Sequence, residues 1–238
     1  QKACVYSKGQ LQLQGNGTLN VVGNTKHAIK SGDYITVKNL TLNITSAVGD
    51  GINCEEYLQV KSGTVTISGV GDDGIQCDLG GDSSTGETTD HEDEDSGNIY
   101  IEGGTITIDC TAQDVKGIKG AGDVNITDGT VSITTSGREA EGMQSKGAFN
   151  ILGGHVTVNA YDDAINSAQD LTISGGYVYA RATNNDGIDA NGNCYIKGGV
   201  VYAIGSSSPE VAIDANSEEQ KKLYVTGGTI VSIGGLES

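Results

Sequence analysis

Asp72 and Asp73 stand side by side in the stretch GDDGIQC, residues 71–77, directly before a glycine and an isoleucine. Like charges that close repel, and a cation between them relieves the repulsion. The arrangement recurs. Asp50 lies one repeat ahead of Asp72, Asp73 and Gln76; Asp163 lies at the same spacing ahead of Asn185, Asp186 and Asp189; Glu141 with Asp162, Asp163 and Asn166 makes a looser third set. Calcium takes about six to eight oxygens, at ~2.3–2.6 Å, from carboxylates, side-chain amides and carbonyls. Zinc or copper would draw on His and Cys, which these positions mostly lack. Asp and Asn also serve turns for backbone reasons and stack as hydrogen-bonded ladders, so a single Asp here says little. Doubled carboxylates recurring in register are what predict Ca2+.

The elements that hold these residues follow from one period. DGIN at 50 returns as DGIQ at 73, KGIK at 116, EGMQ at 141, DAIN at 163, DGID at 186 and VAID at 211, with HAIK at 27 as an earlier copy. The steps are about 23 residues except one of 43, which contains the acidic insertion 78–97. Each apolar anchor is followed by two alternating pairs, such as Leu171/Ile173 and Val178/Ala180, and glycines mark the bends. Alternation with a period of two is the pattern of a strand with one buried face. Three short strands per repeat, with no helical periodicity, predict an all-β parallel β-helix of about nine coils over a single domain, 1–238. A β-propeller would need about twice this period. Cys54 and Cys77 fall on the same inward column as Ser31, Ser145 and Ser167, and are read with Cys110 and Cys194 as reduced core residues, a Cys54–Cys77 disulfide being the alternative. Coils ~4.8 Å apart would let ligands from two neighbours converge on one ion.

A net charge of −17 excludes nucleic acid and anionic membrane surfaces as partners, because both demand clustered Lys and Arg. No apolar run approaches the ~18 residues of a membrane span. The chain begins at Gln1 rather than Met, as a chain trimmed of a leader would. Glu92–Asp95 reads as a solvated loop. Tyr179 and Tyr202, each fourteen residues past an anchor, are expected to stack outward as a small platform for a sugar, or to be ordinary strand tyrosines.

Through KHAIKS, GDGIN, GDDGIQ and the repeated GG-bounded strand units, the sequence resembles the calcium-binding, carbohydrate-binding β-helix proteins of bacterial surfaces, which are similar to the family 9 pectate lyases. The resemblance implies a right-handed helix, calcium at the coil edges, an extracellular or cell-surface location, and an acidic polysaccharide as partner, with cellulose as a second ligand class. The lyases hold calcium with an Asp one coil ahead of an Asp-Asp-x-x-Asp motif and use a later Lys as base. Asp50, Asp72 and Asp73 match, while Gln76 replaces the last carboxylate; the second copy keeps Asp189 but has Asn185 at the first of the pair. Lys116 or Lys119 would stand for the base, or would contact the sugar in a binder. Neighbouring carboxylates raise a lysine's pKa and spoil it as a base, so the expectation is a monomeric calcium-dependent binder of pectin-like polysaccharide. A calcium-dependent lyase acting by β-elimination and a passive spacer are the alternatives.

Overall fold

A computed structural model describes residues 2–80 and 96–237. Each described coil contributes one strand to each of three sheets, and the counterparts of successive coils pair in parallel. In one coil, Ile165–Ser167 lies in the first sheet, Leu171–Ile173 in the second and Tyr177–Ala182 in the third. The next coil repeats the unit with Ile188–Ala190, Cys194–Ile196 and Val200–Ile204. Nine strands per sheet make the expected all-β parallel β-helix, and the one helical element among the described residues is a short 3-10 turn, Ser217–Glu219.

The anchors stack in one column in the first sheet, Ile29 on Ile52, Ile75, Ile118, Met143, Ile165, Ile188 and Ile213. All are fully buried, and the apolar core they begin runs without a break from Leu13 to Ala215. At the last coil the pattern persists but burial fails: Val225 and Ile233 are 54% and 56% exposed, since no described rung covers them. The insertion does not disturb the phase, because Ile75 still pairs with Ile118 and Leu58 with Ile99. Residues 81–95 of the acidic segment, with the Glu92–Asp95 run, lie outside the described residues.

Two devices turn the chain. At the bend into the third sheet Gly154 has φ +83°, and a Cβ there would come within 2.7 Å of the Gly129 carbonyl one rung back, so a side chain is excluded on both counts. At the bend into the second sheet, Asx side chains accept the N–H groups that the turn leaves without partners. Asn98 accepts from Asp123 N at 2.7 Å, Asp123 from Ala148 N at 2.8 Å, and Asp170 from Asn193 N at 2.8 Å. Cys54, Cys77, Cys110 and Cys194 are buried free thiols, and Cys4 is exposed. Burial pushes Cys110 and Cys194 up to about 12, so neither offers a reactive thiolate.

Ile118 meets the core from the middle of the stack, whereas Thr107 points outward from the third sheet. Ile118→Ala is expected to lower stability by about 2–5 kcal/mol and Thr107→Ala by less than about 0.5 kcal/mol. Denaturant unfolding of the two variants checks the assignment of inward and outward columns.

Candidate functional site

The register places the acidic residues two positions before each anchor at the corner that opens the first sheet. Their first task there is structural. Asp50 Oδ1 accepts from Asp73 N at 3.2 Å, and Asp73 Oδ1 from Lys116 N at 2.6 Å. Asp163 Oδ1 accepts from Asp186 N at 3.0 Å, and Asp186 Oδ1 from Val211 N at 2.6 Å. His27 Nδ1 takes the same part for Asp50 N at 3.1 Å. An N–H buried without an acceptor costs about 1–3 kcal/mol, so each carboxylate commits one oxygen to the next rung and keeps one. The Gly or Ala before each anchor does not form an open floor beneath the carboxylates. It faces the core: a Cβ on Gly74 would lie 2.8 Å from Ile108 Cγ2 and 2.5 Å from the Gly117 carbonyl.

Differences along the column lie in what meets the remaining oxygen. Asp50, Asp72 and Asp73 each bring an oxygen within 4.8 Å of the others, as their spacing predicts. Asp50 Oδ2 accepts from Asn53 Nδ2 at 2.6 Å. Asp73 Oδ2 is buried and makes no hydrogen bond, but the Lys119 ammonium lies 3.3 Å away and balances its charge. The chain itself thus supplies one cation to this set, paired with Asp73. Burial still carries Asp73 up to about 6, against the pull of the Lys116 N–H and Lys119. Gln76 turns to Asp78, donating at 2.5 Å.

Further along, Glu141 accepts from Gln144 Nε2 at 2.9 Å and lies 3.7 Å from Lys116 Nζ. Burial drags the Lys116 ammonium down, but its 2.9 Å bond to Asp114 and the charges of Glu141 and Asp73 outweigh burial and hold its pKa above the ordinary lysine value. Asp163 has both oxygens engaged, the second by Asn166 Nδ2 at 3.0 Å, and Asn166 also donates to Asp189 Oδ2 at 3.0 Å. Burial pushes Asp163 up to about 8. Asp162 and Asn185 are half-buried beside Asp163 and Asp186.

Two coils of the C-terminal third meet in a cluster of a different character. Asp186, Asp189 and Asp214 bring their oxygens within 4.8 Å of one another, and no Lys or Arg among the described residues pairs with them. Asp214 Oδ1 is buried with no hydrogen-bond partner. Burial first, then the charges of neighbouring acids, pushes Asp186 up to about 6 and Asp189 up to about 7. Burial followed by Glu237, Glu218 and Glu210 raises Asp214 as well. Three hard oxygen donors from adjacent rungs, one of them an orphan, with no amine among them, fit a calcium ion. Asp214 had not been grouped with the others by spacing, although it follows Ile213 in VAID as Asp189 follows Ile188 in DGID.

Tyr179 and Tyr202 are neighbours by register and face outward. The ring contact formed is Tyr177 with Tyr202, centroids 6.0 Å apart, while Tyr177 also stacks on His155 at 4.4 Å. Tyr202 thus meets the ring two residues before its register partner Tyr179, on the same outward face.

No curated protein and no solved structure matches the chain. The family model for carbohydrate-binding domain-containing proteins matches residues 1–187, so it takes in Asp186 and every coil before it and ends short of Asp189 and Asp214. With more than half of its length matched, the chain belongs to the family of carbohydrate-binding domain-containing proteins.

Proposed function

We propose that the protein binds acidic polysaccharide outside the cell, with calcium held by Asp186, Asp189 and Asp214 as the link to the sugar carboxylates. The observation that carries this reading is the cluster itself: three carboxylates within 4.8 Å of one another, with no Lys or Arg among the described residues paired to them and a buried oxygen left over. Bound calcium would supply a positive charge that carboxylates of protein and sugar share, turning local repulsion into attraction. Without such a charge, these three carboxylates repel a polyuronate locally. The chain's own residues do the positioning: Asp186 is fixed by the Val211 N–H and Asp189 by the Asn166 amide. Binding is preferred to β-elimination because Lys116 is kept protonated by Asp114 and Glu141 and makes a poor general base.

The next-rung N–H groups of the corner are held by Asp50, Asp73, Asp163 and Asp186 and not by Asp189 or Asp214, so Asp189→Asn with Asp214→Asn leaves the corner intact. Calcium is expected to raise retention of the wild-type chain on immobilised polygalacturonate by about tenfold or more over EDTA, worth about 1.4 kcal/mol. It should also raise the melting temperature by mass action. The double variant should lose both increments; equal increments in variant and wild type would overturn the site.

The raised carboxylates give a second expectation. Asp73 and Asp186 at about 6, Asp189 at about 7 and Asp163 at about 8 all titrate above their ordinary value of 3.8. Between those values the folded chain binds more protons than the unfolded chain, so stability is fully present below about pH 4 for these groups and is lost as pH rises through 6 to 8. Melting in EDTA should therefore fall in temperature from about pH 5 to about pH 8, and calcium should flatten the fall. A metal-free melting temperature that rises over this window would contradict the assignment.

A further inference from the structure

On the outer face of the second sheet the first coils carry a different chemistry from the acidic corner. Their outward residues fall into three columns: Tyr34 and Tyr57; Gln12, Thr36 and Gln59; Gln14, Lys38 and Lys61. Together they line an open groove of about 270 Å³. One wall is aromatic and stiff. The Tyr34 and Tyr57 rings stack 4.7 Å apart and 9° from parallel, Tyr100 meets Tyr57 edge-on at 6.5 Å, and the buried Tyr34 hydroxyl is bonded to Gln10. Residues two apart on a strand are separated by roughly 6.7 Å, so the lysine column stands about 13 Å across from this wall.

Lys38 and Lys61 occupy adjacent rungs, the Lys61 N–H bonding the Val37 carbonyl. Both are exposed, and neither forms an ion pair with a described residue. Two ammonium groups a rung apart repel one another as the carboxylates do, and an anion between them relieves it. Glu102, next in their column, is turned to Gln59, which donates to it at 2.8 Å. The surrounding charge favours an anion too. Residues 1–61 hold six lysines against four acids, a net of +2, so the remaining residues carry −19 of the total of −17. With a Debye length of about 8 Å at physiological salt, a ligand in the groove responds to its two lysines and to Glu102 on the next rung, and little to the acids of the last coils.

We propose that this groove binds an acidic glycan directly, without a metal ion, Lys38 and Lys61 taking the sugar carboxylates. The glutamine amides supply donors and acceptors for hydroxyls, and Tyr57, backed by Tyr34, offers an apolar ring to the sugar face. The inference rests on the carbohydrate binding of the family and not on calcium at the far end of the solenoid.

Affinity electrophoresis of the full chain through polygalacturonate in excess EDTA tests it. The wild type should be retarded, and Lys38→Gln with Lys61→Gln should weaken this by about tenfold or more with an unchanged circular dichroism spectrum. Lys221→Gln with Lys222→Gln, the same change of charge on the last coil, should leave it unaltered, and Lys38→Arg with Lys61→Arg should keep most of it. No retardation in EDTA, or equal loss in the two glutamine pairs, overturns the groove. Asp189→Asn with Asp214→Asn should leave the EDTA-resistant binding intact, so failure of the calcium reading and failure of this one give different results.

Discussion

Stacking in register at about 4.8 Å sets each residue of this protein directly above its counterpart one coil away. For apolar side chains the constraint is favourable at every rung, and the column from Ile29 to Ile213 is its product. For charged side chains it is punishing, since a repeated acid meets an acid. The acidic corner can be understood as a series of local answers to that one problem.

The answers change along the axis. Every corner Asp gives one oxygen to a next-rung N–H, which fixes its position and draws off part of its charge. For the other oxygen, Asp50 uses the Asn53 amide, Asp73 the Lys119 ammonium, Glu141 the Gln144 amide with Lys116 near, and Asp163 the Asn166 amide. At Asp186, Asp189 and Asp214 one amide remains, that of Asn166 on Asp189, and no ammonium group among the described residues reaches the carboxylates, which face one another. Asp214 keeps an orphaned oxygen, and burial first, then the neighbouring acids, raises the proton affinity of all three. The proposed calcium is the remaining answer.

The coil, the inward columns and the convergence of Asp50, Asp72 and Asp73 were legible in the sequence because each repeats with the period, and repetition survives without knowledge of where side chains turn. What did not repeat stayed hidden. That Lys119 reaches Asp73 depends on a side chain from across the long insertion, which sequence spacing places 46 residues away. The glycines before the anchors fit a floor beneath a metal site as well as they fit the core, and only the approach of Ile108 to Gly74 decides. The cluster at Asp214 was obscured because VAID lacks the acid two residues before its anchor on which each predicted ligand set was built.

Net charge misleads for a related reason. A total of −17 describes no place on a solenoid, whose ends lie about 43 Å apart and are screened from each other over a few Debye lengths. The lysines of the first three coils and the acids of the last three therefore act as separate fields on one scaffold. Under the two proposals an extended acidic polymer would meet both by opposite means: lysine ammonium groups at one end, and at the other carboxylates that must first acquire a cation. A solenoid suits such a division, because lengthening the stack separates the fields without altering the coil that carries either.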